Sequence, residues 1–143
     1  TFSHQNYHSL NLIVYISIIF IINFHDTLMG PATYDLASLL KDAYIELDDA
    51  VVDRLVEHFL NGLAGLGAKV ADRTAFRRLF DFTSIQRNLK AAGRFVYIDQ
   101  VKHNPKFLAD IPRVLGYVKR NLEKYPELAP LRQHLAPYVA ELQ

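Results

Sequence analysis

An α+β fold that is mainly helical is what this sequence predicts: one short β-hairpin near the start, then four or five helices, in a single domain spanning residues 1–143. Three observations carry that expectation. The stretch 12–22 reads L-I-V-Y-I-S-I-I-F-I-I, rich in the β-branched and aromatic side chains that suit strands. From Pro31 onward, apolar residues recur at intervals of three and four, the period of one helix face. Charge divides along the same line: of 16 basic and 15 acidic side chains, Asp26 alone falls within residues 1–33.

Within 12–22, two strands would meet at a turn near residues 15–17, although no Gly, Asp or Pro marks it. The β-branched richness favours a buried hairpin. A first helix over 34–45 would present Leu36, Leu39, Leu40 and Ala43 on one face, with Thr33 as its cap. The next opens at Asp48, buries Val52, Leu55, Val56, Phe59, Leu60 and Leu63, and ends among Gly62, Gly65 and Gly67. A longer third pattern over 73–98 turns Phe76, Leu79, Phe82, Ile85, Leu89, Ala92 and Val96 inward. The fourth starts near Asp110 with Pro112 in its first turn, buries Val114, Leu115, Val118 and Leu122, and stops at Pro126. The tail 127–142 spaces Leu128, Leu131, Leu135, Val139 and Leu142 helically, interrupted by Pro130 and Pro137.

Composition excludes several classes of function. At 50% hydrophobic and 22% charged residues the chain has the balance of a packed domain, not of a disordered tail. Without cysteine there is neither a disulfide framework nor a thiolate metal site, which fits a reducing, cytoplasmic setting. A net charge of +1 with no basic stripe argues against a nucleic-acid partner. The uncharged run covers about half of the roughly 20 residues a bilayer core needs, and Asn11 and Asn23 bracket it. No Lys or Arg precedes it and no A-x-A pattern follows, so neither a membrane span nor a targeting segment is expected.

Residues that carry chemistry flank this run. Before it stands His4-Gln5-Asn6-Tyr7-His8-Ser9-Leu10-Asn11, and after it Ile22-Asn23-Phe24-His25-Asp26. His4 and His8, with His25 and Asp26 nearby, have metal-ligand chemistry, but with no helix beneath them and no fourth spaced ligand, loop-bracing histidines are the preferred reading. By residue type alone, Asn6 and Asn23 are polar turn residues. The layout as a whole resembles the catalytic core of protein-kinase-like phosphotransferases: a loop H-x-D-x-x-x-x-N, a hairpin, then a metal-binding Asp in a D-F-x motif. More narrowly it resembles the aminoglycoside phosphotransferase family, with its H-x-D-x-H-x-x-N. The segments M-G-P-A-T-Y-D-L-A-S-L-L-K-D, Q-R-N-L-K-A-A-G-R-F and F-L-A-D-I-P-R-V-L are similar to those of bacterial kinases of cell-wall amino sugars. Such kinases phosphorylate the anomeric hydroxyl of N-acetylmuramate or N-acetylglucosamine.

The resemblance implies the C-terminal lobe of such an enzyme, with 1–33 as the catalytic-loop and metal-loop segment and 34–143 as the helical subdomain. It implies ATP and Mg²⁺ as cofactors, a sugar or aminoglycoside-like small molecule as acceptor, and an N-terminal lobe, carrying a strand Lys and a Gly-rich loop, that this chain lacks. It places Asn6 at the catalytic carboxylate, with His4 and His8 in the same loop. It places Asn11 and Asn23 at the metal, Asn23 where a carboxylate is expected, with Asp26 three residues further on. Asp35 would brace the catalytic loop from the first helix. Lys41 and Asp42, at the end of that helix, and Gln86, Arg87 and Lys90, in a resembling segment, are substrate candidates; a solvated helix face is the plainer reading of the basic residues. Two expected carboxylates are amides. A lost general base costs on the order of a hundred- to ten-thousandfold, and Mg²⁺ leans on a carboxylate for its anchor. The expectation is therefore an impaired kinase lobe, with a non-catalytic, pseudokinase-like binding module as the alternative and an unrelated helical interaction protein as a further one.

Overall fold

Four strands form near the start of the chain, β1 (Phe2–Ser3), β2 (Leu12–Tyr15), β3 (Ile18–Ile21) and β4 (Leu28–Met29). This computed structural model describes residues 1–68 and 72–143, and the side chain of Asp26 also lies outside the described residues. β2 and β3 pair antiparallel, Leu12 opposite Ile21 and Tyr15 opposite Ile18, as the β-branched run leads one to expect. Ile16 and Ser17 connect them with φ of 45° and 61°. A two-residue link with both φ positive follows the right-handed twist of the flanking strands, even without the usual Asn-Gly. Outside this hairpin, β1 pairs antiparallel with β4, an element the sequence pattern did not announce. Mutual bonds between Thr1 and Gly30 lengthen that pairing, Gly30 N–H to Thr1 O at 2.8 Å and the Thr1 ammonium to Gly30 O at 2.9 Å.

The hairpin is not buried. Its apolar side chains, Ile13 through Ile22, lie between 37% and 75% exposed. β-branched richness signals that a backbone will extend, and it carries no information about what covers the strand.

Residues 1–83 form one compact unit and 84–143 a second. In the first, helix α1 (Thr33–Leu40) is shorter than its apolar period suggests, and Thr33 is not its cap. Thr33 sits inside the first turn, fully buried, and its hydroxyl meets that of Thr83 at 2.8 Å. Helix α2 (Asp49–Gly65) follows Asp48, whose carbonyl, not its side chain, accepts from Val51 and Val52. Its other end is a Schellman closure: Ala68 N–H reaches Leu63 O, Gly67 N–H reaches Ala64 O, and Gly67 takes φ of 79°. Val52, Val56 and Leu60 of α2 pack with Ala37 and Leu40 of α1 and with Phe80, while Leu55 stays 39% exposed.

Helix α3 (Arg73–Lys102) contributes residues 73–83 to the first unit and 84–102 to the second. Its buried face differs from the expected one. Leu79 and Val96 are largely exposed, and the buried positions include Phe80, Asp81, Thr83, Ser84, Ile85, Asn88, Ala92 and Phe95. Polar residues on the inner face displaced the stripe that apolar spacing alone would draw. In the second unit, helix α4 (Ile111–Lys124) buries Val114, Leu115, Val118 and Leu122 as its pattern indicates, and Tyr117 and Asn121 as well. Asp110 binds Arg113 at 2.9 Å instead of capping. Helix α5 (Ala129–Leu135) and the 3-10 turn Ala140–Leu142 place Leu128, Leu135, Val139 and Leu142 against Ile85, Val118 and Leu122, with Leu131 40% exposed. No helix among the described residues is long and apolar enough to cross a membrane.

Candidate functional site

The loop of residues 4–11 leaves β1 and is held from two sides. Asp35, in the first turn of α1, accepts from His4 N–H at 2.6 Å through Oδ2 and from Gln5 N–H at 3.0 Å through Oδ1. Charge-assisted bonds of this kind are about twice as strong as neutral ones, and an acidic side chain in a first turn also suits the helix dipole. Gln5 takes φ of 69°, so two carboxylate bonds hold a bend that a non-glycine backbone resists. Further along, Asp42 is 2% exposed, accepting from Ser9 N–H at 2.7 Å and from Tyr44 N–H at 2.8 Å.

Inside the loop the histidines act as spacers. His4 Nδ1 accepts from Asn6 N–H at 3.3 Å, and its Nε2 donates to the carbonyl of Ile22 at 3.0 Å, tying the loop to the end of the hairpin. His8 is 9% exposed, packs against the Tyr44 ring at 5.4 Å, and turns Nε2 toward Asn11 Nδ2 at 3.2 Å. The backbone of Asn11 closes the base of the hairpin by accepting from Ile22 N–H at 3.1 Å.

Two side-chain amides meet, those of Asn11 and Asn23, and Asn11 also reaches the backbone of Asn6. Asn11, 4% exposed, donates from Nδ2 to the carbonyl of Asn6 at 2.7 Å, and its Oδ1 accepts from Asn23 Nδ2 at 2.8 Å. Asn23 stands in the left-handed region at φ of 62°, just before the 3-10 turn Phe24–Asp26, a conformation Asn tolerates better than most residues. These residues do not fit a Mg²⁺ ion. A hard divalent cation takes oxygen donors and relies on carboxylates. Here the Asn11 oxygen already accepts an N–H, and Asn23 directs a donor at it. Among the described residues no three His, Cys, Asp or Glu side chains converge on a cation. The side chain of Asp26, the remaining metal candidate, lies outside the described residues.

The substrate candidates fall in both units. Lys41 is 4% exposed and bonds Asp49 through Nζ at 2.6 Å. Gln86 and Lys90 are exposed and Arg87 half-buried on the stretch of α3 that belongs to the second unit. None of these lines the cleft of about 490 Å³ in the first unit, whose walls include Phe2, Tyr7, Leu36, Leu39, Phe59 and Leu63, with Asp35 among them. Sequence reasoning missed the carbonyl of Ile22 as the anchor of His4 and Tyr44 as the ring packed on His8. A backbone acceptor has no residue type to betray it.

No protein-family model matches the chain. Among curated proteins it is similar to the N-acetylmuramate/N-acetylglucosamine kinase of Neisseria meningitidis, 37% identical over 122 residues, which are 85% of this chain and 36% of that protein. The kinases of the same name from Pseudomonas putida and Pseudomonas aeruginosa are 33% and 31% identical over 141 and 136 residues, 98% and 94% of this chain and 40% of each relative. The chain thus spans about two fifths of the length of the curated relatives it matches. Over most of its own length it is homologous to part of the N-acetylmuramate/N-acetylglucosamine kinases.

Proposed function

We propose that this chain is the C-terminal lobe of a small-molecule kinase of the aminoglycoside phosphotransferase type, a scaffold for ATP-dependent phosphoryl transfer to an amino-sugar hydroxyl from which the transfer chemistry has been removed. The order of its four resembling segments and the names of its relatives support the scaffold. One observation supports the loss of chemistry: Asn6 and Asn23, read as the positions of the base and of the metal carboxylate, are amides, and Asn23 bonds Asn11. An amide at position 6 has no basic oxygen to take the proton of an attacking hydroxyl. Without an anchored cation, the charge developing on the transferred phosphoryl group is not neutralised there.

The test joins the chain to the N-terminal remainder of the Neisseria meningitidis relative. Transfer to N-acetylmuramate and N-acetylglucosamine is compared between this fusion and its Asn6→Asp/Asn23→Asp variant. The expected result is turnover in the variant at least about a hundredfold above the unaltered fusion. Measurable turnover in the unaltered fusion equal to that of the variant overturns the loss of chemistry. A variant fusion with neither turnover nor calorimetric binding of Mg·ATP overturns the lobe assignment.

A further inference from the structure

Two loops on either side of the hairpin, residues 4–11 and 22–26, are joined side chain to side chain through Asn23 and Asn11. The direction of the bond is fixed from outside the pair. Asn11 spends its Nδ2 on the carbonyl of Asn6 at 2.7 Å and lies against His8 Nε2 at 3.2 Å, so Oδ1 is the atom left to face Asn23. Asn23 can answer only with its N–H₂ group. The result is a closed chain of bonds from Asn23 through Asn11 to the backbone of Asn6, complete without a positive ion. A cation between the two side chains would have to displace an N–H donor from the one oxygen that Asn11 presents.

We propose that the Asn23–Asn11 bond takes the place of a divalent cation as the tie between these loops, so that the site holds its shape without Mg²⁺. The proposal rests on the function read above for the identity of the cation, and on geometry alone for the bond. It also implies that Asn23→Asp does more than restore a ligand. An aspartate keeps the size of the residue and its tolerance of the left-handed backbone, but it sets a carboxylate against a carbonyl oxygen and removes the donor.

Hydrogen exchange on the full chain tests this at the amides of Asn11 and Ile22, whose N–H groups bond His8 O and Asn11 O. In wild type, exchange is expected to be the same in EDTA and in millimolar MgCl₂. In EDTA, Asn23→Asp should exchange about fivefold faster at these amides, the effect of one lost neutral hydrogen bond, with the amides of α2 unchanged as the control for folding. Equal exchange in wild type and variant overturns the proposal, as does a saturable Mg²⁺ dependence in wild type. If the variant does not fold, the side-chain N–H₂ resonances of Asn11 and Asn23 in the wild-type chain decide the matter: unmoved by MgCl₂ they support the tie, and a saturable shift refutes it. None of these readouts involves phosphoryl transfer, so a failure here is distinguishable from a failure of the fusion experiment.

Discussion

Asp35 and Arg77 show how single side chains fix the first unit. Asp35 satisfies two backbone N–H groups at a bend with positive φ, so Asp35→Ala strands both donors and frees the bend; the expected cost is about 2 kcal/mol, measured by urea unfolding. The guanidinium of Arg77 is drawn opposite ways. Burial works against its charge, and the carboxylates of Asp53 and Asp81 more than offset this, holding its pKa above the ordinary arginine value. Its charge is therefore present at every working pH, and the pairing with Asp81, 1% exposed, has no alkaline limit set by the arginine. Arg77→Met removes the cation paired with that buried carboxylate and should cost about 3 kcal/mol by the same measurement. The bracing role of Asp35 was expected from the resemblance, but its partners, backbone groups some thirty positions away, were not, because spacing arguments do not see them; the pairing of Arg77 with Asp53, 24 positions away, was not legible either.

The hairpin is the element whose existence was most legible and whose setting was least so. Its strands and the location of its turn follow from β-branched density, but its exposure does not, since a two-residue turn of Ile16 and Ser17 has no composition signal and apolar strands suggest cover. In α3 the start was readable, but the helix runs on to Lys102, past the expected end at residue 98, and Thr83, Ser84 and Asn88 hid the buried face behind polar letters. The turn supplies a prediction. A β-branched residue at φ of 45° is in a region that costs L side chains about 1–2 kcal/mol. Replacing Ile16 by Asn and Ser17 by Gly relieves most of this and withdraws an apolar side chain that is 75% exposed. Amide exchange across β2 and β3 should slow by about fivefold, corresponding to about 1 kcal/mol, and aggregation on heating should fall; faster exchange would show that the turn is not strained.

Over the whole molecule, charge, core and chemistry are partitioned differently. The loops with the amide chain belong to residues 1–83, and Gln86, Arg87 and Lys90 to residues 84–143, so the candidate residues that the motif segments suggest do not share one compact unit. Each unit has its own apolar centre, with Leu60 at 1% exposure in the first and Leu122 at 2% in the second. Truncating a buried leucine removes its transfer free energy and leaves a cavity, about 2–5 kcal/mol in total. A domain of this size has about 5–15 kcal/mol of stability to lose, so the effect is large enough to measure and small enough to leave a folded majority. Leu60→Ala should therefore speed exchange of the α2 amides, and Leu122→Ala that of the α4 amides, each by well over tenfold. The readout is mass-resolved hydrogen exchange on peptides covering each helix. An α4 that exchanges at the wild-type rate in Leu122→Ala would mean that its apolar face is not what holds it, and the centre assigned to residues 84–143 would have to be withdrawn.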